Sequence, residues 1–417
     1  MKLRSFALGA AAVGAAGALV MGGLYAWTRP APLAAIGAPP PLPSAEVLAA
    51  GARVVALGDC MVCHTAKDGA KDGPAYAGGM GLRTPFGTIY STNITPDRET
   101  GIGAWSPQAF RRALREGASR DGHLLYPAFP YIHYTRMSDR DIDLAYQFLM
   151  SRAPVRVAQP DNDLIFPLNF RPLLAAWNLL YLRPGDAAIP ARQASQLERG
   201  RYLVDTLGHC ASCHSGMTAL GGERRPAFQG GNIDGWDAPA LTRLAAGSVP
   251  WRQQELVEYL RGGLSLAHGA AKGPMRPVTE RLAEVPREDV EAIATYLMSI
   301  QQPPAAAAPA PPTVRTVAAA STHPDSEGAR LFAGACAGCH AAPAPMMRLA
   351  GRPGLASSSA LRGDSPANFI QTVLHGIPWE ASSQVYMPPF ADTLSDEQVA
   401  QIAAYVRTGI AAQPAWR

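Results

Sequence analysis

Three copies of one pentapeptide account for every cysteine in this chain. Each has the form C-x-x-C-H, and the chemically active members are Cys60, Cys63 and His64; Cys210, Cys213 and His214; and Cys336, Cys339 and His340. This is the attachment pattern of a c-type haem, in which both thiols bond to the porphyrin and the imidazole becomes the proximal iron ligand. The spacing therefore predicts three covalent haem c groups.

Other chemistries of paired cysteines fit this pattern less well. A structural zinc site would need a fourth ligand at each position. A thioredoxin-like redox pair would need a βαβ context that the sequence lacks. Because the three motifs use all six cysteines, none remains for a disulfide or a nucleophile.

A longer repeat must position the pentapeptides. A helix leads into each one, a second helix ends in glycine, and an amphipathic helix closes the repeat, with apolar residues at three- and four-residue steps. The expected lead helices are 51–58, 197–207 and 327–335; the second helices are 105–117, 251–263 and 365–376; the closing helices are 138–151, 286–300 and 395–408. This layout predicts an all-α fold of three tandem cytochrome c domains.

The repeat also sets the expected domain boundaries. We predict a signal or transmembrane segment at 1–29, a Pro/Ala-rich tether at 30–45 that lifts the first domain off the membrane, cytochrome c domains at 46–155, 193–301 and 321–412, an apolar connecting segment at 156–192, and a Pro/Ala-rich linker at 302–320. The connecting segment is too apolar for a solvated linker. It either packs between the first two domains, which we prefer, or contacts the bilayer or a partner.

The distal iron ligands are expected in the loop after the glycine-terminated helix, where cytochromes c often place a methionine. Met387 follows Gly376 by 11 residues and Met275 follows Gly263 by 12 residues. A lone methionine often only fills a core. Their matching positions in the repeat nevertheless predict that both are distal ligands.

The first repeat breaks this pattern, because Phe129 occupies the position that matches Met275. Phenylalanine cannot bind iron. We prefer His133, four residues later, as the sixth ligand of the first haem. Met137, Met80, His123 and a five-coordinate iron remain open, and Met137 lies beside the closing helix, where it would be core. The remaining histidines, His209, His268, His323 and His375, lie in no motif and are expected to face solvent or a haem edge.

The N-terminus indicates export. Lys2 and Arg4 precede an uncharged apolar run that ends before Arg29. The run is longer than a usual signal-peptide core and nearly long enough to span hydrocarbon, which favours a retained anchor over cleavage near Ala34. We expect the body on the periplasmic side of a bacterial inner membrane, where haem is attached. With 37 basic and 33 acidic residues and no basic patch, nothing indicates nucleic acid.

Two longer stretches resemble the triple-haem cytochrome subunits of membrane-bound bacterial dehydrogenases. They are Thr84–Asp97, continuing to Trp105, and Gly231–Thr242. Members of that family serve quinoprotein alcohol dehydrogenases, flavin-dependent sugar dehydrogenases, and molybdenum hydroxylases that oxidise aldehydes or N-heterocycles. The Phe-Pro-Tyr-x-His sequence ending at His133 looks more like the cytochromes that accompany molybdenum–iron–sulfur aldehyde dehydrogenases, which supports His133 as a ligand.

This resemblance implies an electron-transfer subunit without catalytic residues of its own. Its partners would be a molybdenum-containing catalytic subunit, a small iron–sulfur subunit, membrane lipid and ubiquinone as the acceptor. Within the family, the alternative partner is a quinoprotein alcohol dehydrogenase or a flavin-dependent gluconate or sugar dehydrogenase. Two classes outside it also stay open: a haem peroxidase with an open iron position, and a cytochrome subunit of a terminal oxidase. The substrate rests on the resemblance alone.

Overall fold

The chain folds into two compact units. The computed structural model describes residues 2–68, 71–185, 195–246, 249–302, 326–341, 344, 353–378 and 386–416. The first unit comprises Met1–Ser212 and Met217–Glu223, and the second comprises Cys213–Gly216 and Arg224–Arg417. The first repeat thus lies within the first unit and the third repeat within the second. The linker 302–320 lies almost wholly outside the described residues.

The first unit is mostly helical. Its helices are α1 (Lys2–Thr28), α2 (Ala45–Leu57), α3 (Cys60–Cys63), α4 (Pro107–Glu116), α5 (Tyr131–Tyr134), α6 (Asp139–Met150), α7 (Leu173–Tyr181) and α8 (Gln196–Tyr202), which continues as a π-helical turn, Leu203–Leu207. Its strands are β1 (Lys67–Asp68), β2 (Lys71–Asp72), β3 (Gly81–Thr84), β4 (Gly87–Tyr90) and β5 (Asp163–Leu164). Helix α9 (Ala211–His214) follows, at the division between the units.

The lead and closing helices of the first repeat, α2 and α6, pack against each other. Gly51 makes the close crossing possible, since a Cβ there would lie 2.4 Å from the Leu144 carbonyl oxygen and 2.7 Å from the Phe148 Cβ. Ser138 caps α6 by accepting a hydrogen bond from the Asp141 N–H. Val55 and Ile142 are fully buried. The crossing therefore forms the core beside the first pentapeptide.

A small antiparallel sheet, which the sequence analysis did not predict, lies in the first unit. Strand order is β3-β4-β5, with Gly81 opposite Tyr90 and Gly87 opposite Leu164. The Asn162 side chain accepts a hydrogen bond from the Tyr90 N–H. The sheet holds the loop that follows the first pentapeptide.

The N-terminal run forms α1 as a continuous helix. Among the helices in the described parts of the chain, none combines the length and the hydropathy needed to cross a bilayer. The next residues, which we predicted to be a tether, make hydrogen bonds with the first unit. Arg112 donates a 2.6 Å hydrogen bond to the Ala31 carbonyl, and the Leu33 N–H donates to the Arg120 carbonyl. Proline-rich backbone keeps its carbonyls available as acceptors, and here arginines of the first unit use them.

The apolar connecting segment is partly buried in the first unit. Leu174 and Ala175 of α7 pack with Ala118 and Leu124, and Leu24 and Tyr25 of α1 cover the same cluster. Other apolar side chains of the segment stay exposed: Ile165, Phe166, Phe170, Leu179 and Leu180. The segment therefore has one packed face and one apolar face in solvent.

The second unit contains the remaining elements. Its helices are α10 (Gln253–Gly262), α11 (Met275–Ala283), α12 (Arg287–Ser299), α13 (Glu327–Ala335), α14 (Ala337–His340), α15 (Ser359–Arg362), α16 (Ala367–His375) and α17 (Asp396–Tyr405), which ends in a π-helical turn, Val406–Ile410; 3-10 turns lie at Leu241–Arg243 and Leu355–Ser357. Its strands are β6 (Gly231–Ile233), β7 (Trp236–Ala238), β8 (Leu264–Ser265) and β9 (Gly269–Ala270), paired as antiparallel hairpins β6-β7 and β8-β9.

The third repeat reproduces the crossing of the first. Helix α13 packs on α17, and a Cβ at Gly328 would lie 2.3 Å from the Gln401 carbonyl oxygen and 3.0 Å from the Tyr405 Cβ. Ile402 and Val406 are buried behind this contact. All nine helices predicted from the repeat are present, eight of them within three residues of the expected bounds and α2 beginning six residues earlier, so the mostly helical class is confirmed, with short strands added.

Candidate haem-binding sites

Each pentapeptide forms a single helical turn. In the first repeat, Asp59 adopts a left-handed conformation (φ 53°). This residue separates α2, which ends at Leu57, from α3, which begins at Cys60. Residues three apart share a face of a helix, which brings the Cys60 and Cys63 thiols together. The His64 N–H donates to the Cys60 carbonyl and closes the turn. Both thiols and the imidazole are thereby presented from one short element.

The other two copies use the same turn. His209 takes the left-handed conformation (φ 38°) before Cys210 and α9, as Asp59 does before α3. In the third copy, α14 ends at His340, whose N–H donates to the Cys336 carbonyl. The helical turn is therefore common to all three copies, and the left-handed residue before it is common to the first two.

Two proximal histidines are held in the geometry expected of an iron ligand. The His64 Nδ1 lies 2.6 Å from the Thr92 carbonyl oxygen, and the His214 Nδ1 lies 2.8 Å from the Pro239 carbonyl oxygen. An Nδ1–H that donates to a carbonyl leaves the Nε2 lone pair for the metal. Burial lowers the pKa of both histidines, which favours the neutral, ligating form.

The six cysteines are present as thiols rather than disulfides. Burial, together with the neighbouring Asp59 and Cys63, raises the pKa of Cys60 to about 12, and burial also raises the pKa of Cys336. Paired thiols on one face, next to a neutral and oriented imidazole, are the donor set that haem c attachment requires. The residues fit the group.

Met387, the predicted distal ligand of the third site, follows Gly376 in the loop after α16. It forms an antiparallel bridge with Ile377, in which each N–H donates to the other's carbonyl. Its side chain packs against the same apolar cluster as Cys336. Gly376 has a φ of +67°, and a Cβ there would lie 2.4 Å from the Met387 carbonyl oxygen. The glycine of the repeat is therefore required by the approach of the methionine segment.

Met275 is the first residue of α11 and is partly buried. The loop before it begins at Gly263, which ends α10 in the left-handed conformation (φ 66°) and accepts a hydrogen bond from the Ala271 N–H. Gly117 ends α4 in the same way (φ 63°). The glycine that defines the distal loop thus has a positive φ in all three repeats, although the residue it leads to differs.

Phe129 lies among aromatic rings rather than polar groups. Its ring centroid lies 5.6 Å from that of Tyr134 and 6.3 Å from that of Tyr131. The Tyr134 hydroxyl donates to the Gly58 carbonyl, and burial raises the pKa of Tyr134, with Cys60 and Cys63 adding to the effect. The distal loop of the first repeat therefore reaches the first attachment turn through aromatic side chains.

His133 is buried, and both of its ring nitrogens have partners. The Nε2 lies 2.6 Å from the Glu223 carboxylate and the Nδ1 lies 2.9 Å from the Asp205 carbonyl oxygen. Iron binding would require one of these contacts to be exchanged for the metal, so its role as a ligand stays a prediction. Glu223 was not identified from the sequence, because it lies 90 residues from His133 and in no recognised motif.

The other candidates have varied surroundings. Met137 is 3% exposed and belongs to the core, as expected. His375 is exposed, as expected. His268, in contrast, is buried: its ring stacks on Trp251 with the centroids 3.6 Å apart, and the Arg362 guanidinium contacts its Nδ1. His323 lies outside the described residues.

Known proteins share these features. The cytochrome c family matches residues 197–301, and the family of the cbb3-type cytochrome c oxidase subunit III matches residues 323–406. A nicotinate dehydrogenase subunit from Pseudomonas putida is 48% identical over 90% of this chain, but the chain spans only 31% of that protein.

Two further relatives are covered over most of their length. The cytochrome c subunit of gluconate 2-dehydrogenase from Pantoea cypripedii is 36% identical, over 86% of this chain and 84% of the relative. The cytochrome c subunit of a quinone alcohol dehydrogenase from Gluconacetobacter polyoxogenes is 34% identical, over 86% of this chain and 79% of the relative. With the attachment turns and oriented histidines, these likenesses show that the chain belongs to the family of dehydrogenase cytochrome c subunits, whose domains hold covalent haem c.

Proposed function

We propose that this chain carries three haem c groups and transfers electrons from an aldehyde-oxidising molybdenum subunit, through a small iron–sulfur subunit, to ubiquinone. The observation that carries the proposal is the recurrence of one attachment turn, with a carbonyl-oriented histidine at the first and second sites. Each bound haem would supply one-electron transfer at its iron. The chain's own residues orient the proximal imidazoles, keep them neutral and place a distal side chain opposite.

The choice of an aldehyde-oxidising partner rests on Phe129 and on the Pro130-Tyr131-x-His133 sequence that follows it. The aromatic surroundings of Phe129 support a first distal loop that differs in kind from the loops around Met275 and Met387. A dehydrogenase that oxidises nicotinate or another N-heterocycle is the second candidate. The 48% identity to the nicotinate dehydrogenase of Pseudomonas putida favours it.

We also place the protein on the periplasmic side of the inner membrane, in contact with lipid. Haem attachment outside the cytoplasm requires export, and Lys2 and Arg4 at the start of the otherwise apolar α1 are typical of an export segment. The exposed apolar side chains around Phe166 supply a surface suited to lipid or to a partner subunit.

Co-purification tests the partner. The tagged chain is isolated from detergent-solubilised membranes of its own host, and the complex is analysed for metals, flavin and quinoprotein cofactor. We expect molybdenum and iron–sulfur centres, with quinone reduction driven by an aldehyde more strongly than by nicotinate. A flavoprotein or quinoprotein partner contradicts the proposal. Faster quinone reduction with nicotinate than with the aldehyde would instead support the N-heterocycle-oxidising dehydrogenase as the partner.

A matched variant tests the number of haems. Replacing Cys210 and Cys213 by serine removes both thiols of one turn and leaves the other two turns unchanged. We expect the pyridine haemochrome assay to give three haems per chain in the wild type and two in the variant. Two haems in the wild type would refute the count. Peroxide turnover by the isolated wild-type chain would instead support the peroxidase alternative.

A further inference from the structure

A cavity of about 460 Å³ lies in the first unit, between the end of α4 and α7. Its walls are mainly apolar and include Ala175, Leu179 and Leu182, while Glu116, Asn178 and Arg183 place polar groups at its edge. This volume falls in the range of small-molecule sites, which combine apolar walls with a few convergent polar groups. The volume and lining fit a small ring that carries polar oxygens.

We propose that this cavity binds the ring of a ubiquinone-type quinone, with the Asn178 amide as a hydrogen-bond donor to a quinone carbonyl. The buried Tyr131 hydroxyl donates a 2.6 Å hydrogen bond to the Asn178 Oδ1, which fixes the orientation of the amide. Within the described residues the Asn178 Nδ2 has no acceptor, so this group is available to a ligand. The inference rests on the proposed function, since it names the site of its electron acceptor.

The cavity is connected to the first attachment turn by aromatic rings. From Tyr131, beside Asn178, the ring of Phe129 is 6.3 Å away and the ring of Tyr134 is a further 5.6 Å. Tyr134 contacts the Gly58 carbonyl, two residues before Cys60. A site for a redox-active ligand needs such closeness to an electron donor, whereas a site for a structural lipid does not.

The approach to the cavity suits an isoprenoid tail. Leu179 lines the cavity and is 58% exposed. The apolar cluster behind the cavity also includes Leu24 and Tyr25 of α1. The site therefore opens beside the most apolar elements of the unit.

Reduction at this site balances as follows. The quinone gains two electrons and two protons, both C=O groups become C–OH groups, and a hydroquinone leaves. Both electrons originate in the aldehyde that the partner dehydrogenase oxidises and arrive one at a time. Both protons come from solvent, which reaches the exposed Glu116 at the mouth of the cavity.

Three variants on α7 test the site in the oxidised, haem-loaded full-length protein. Asn178→Leu removes the donor, Leu179→Trp fills the mouth, and Leu180→Trp adds the same bulk one residue away, outside the cavity lining. Isothermal titration calorimetry with a ubiquinone bearing one isoprenoid unit measures affinity without turnover. We expect each of the first two variants to weaken binding about tenfold or more and the control to match the wild type.

The outcomes separate the site from the proposed function. Unchanged affinity in both Asn178→Leu and Leu179→Trp overturns the site, even where the complex reduces quinone normally. The site is also overturned if phospholipid displaces the quinone equally well from every variant, the Leu180→Trp control included. Failure of the wild-type complex to reduce any quinone, with ferricyanide reduction intact, overturns the proposed function instead. Thermal melting of Asn178→Leu checks that the loss of the Tyr131 contact has not unfolded the unit.

Discussion

The histidines of this chain illustrate how burial and one hydrogen bond select a chemical role. His64 and His214 donate from Nδ1 to a carbonyl and stay neutral, which leaves Nε2 for iron. His209 is also held neutral by burial, but it lies before the attachment turn and its ring packs edge-on to Tyr134. A neutral imidazole inside a domain makes stability sensitive to acid.

Acidification should destabilise the first unit through His209. Burial, reinforced by His133, lowers the pKa of His209 from 6.5 to about 4 in the folded chain. Between pH 6.5 and 4 the unfolded chain therefore binds more protons than the folded chain. The stabilisation that comes from the buried, neutral His209 is fully present above pH 6.5 and is lost as the pH falls toward 4. Thermal melting across this pH range measures the slope.

His209→Asn is the control for this prediction. Asparagine tolerates the left-handed backbone (φ 38°) and does not titrate in this range. We expect the variant to lose part of the acid sensitivity. An unchanged slope between wild type and variant would assign the acid effect to other groups.

The sixth ligand of the first haem has a spectroscopic signature. If His133 exchanges its Glu223 or Asp205 contact for iron, only two haems per chain contribute to the weak far-red sulfur-to-iron band of the oxidised protein. His133→Ala should then give one high-spin haem per chain. A far-red band equivalent to three haems, or no change on substitution, would refute His133 as the ligand.

The roles of single residues could be predicted from the sequence where they depend only on neighbouring residues in the chain. The thiols and proximal histidines follow from five consecutive residues, and the structure places them on single turns. The contact between His133 and Glu223 joins residues 90 positions apart and depends on the folded unit. No local pattern reports such a contact.

At the scale of elements, the crossing of lead and closing helices is set by a glycine. A Cβ added at either Gly51 or Gly328 would lie within 2.4 Å of a backbone carbonyl oxygen of the closing helix. Each lies against an aromatic residue of the closing helix, Phe148 or Tyr405. The backbones could not approach this closely with any larger residue.

Gly328→Ala should destabilise the third repeat by about 1–3 kcal/mol, because the added methyl group overpacks the crossing against Gln401. Gly334→Ala in the same helix meets nothing within 4 Å and should stabilise α13 by up to about 1 kcal/mol through helix propensity. Denaturant unfolding followed by circular dichroism compares the two. Equal effects of the two substitutions would contradict a close-packed crossing.

Helices were predictable because their signals are repeated and local. In α4 three signals agree: the helical spacing of apolar residues, a serine at the N-cap and a glycine at the C-terminal end. Ser106 caps the helix and Gly117 ends it. The β3-β4-β5 sheet was missed since its strands are two to four residues long. Its third strand also comes from a distant part of the chain, so pairing is decided by tertiary contacts.

For the molecule as a whole, the contacts of residues 29–36 bear on maturation. Arg29 donates to the Asp121 and Gly122 carbonyls, and the buried Arg112 guanidinium donates to Ala31. Removal of this segment would leave Arg112 with fewer acceptors, at a cost of about 1–3 kcal/mol for a buried charged donor.

We therefore expect the mature protein to keep residues 29–36. Intact-mass measurement and N-terminal sequencing of protein from host membranes check this. A mature N-terminus just after Ala35 would contradict it and would predict a lower melting temperature for the first unit than in an uncleavable variant.

The distal loop of the first repeat has a consequence for how such proteins diversify. Besides the ring contacts of Phe129, the loop has main-chain bonds from the Phe129 N–H to Tyr126 and from the Tyr131 N–H to Phe129, which do not depend on the side chain at position 129. A single codon there can change without dismantling the loop. If the thioether of Phe129→Met replaces the predicted ligand His133 at the first haem, we expect the reduction potential of that haem alone to rise. Natural or engineered substitutions can thus adjust the reduction potential of one haem site to a new electron donor while the fold of the domain is kept.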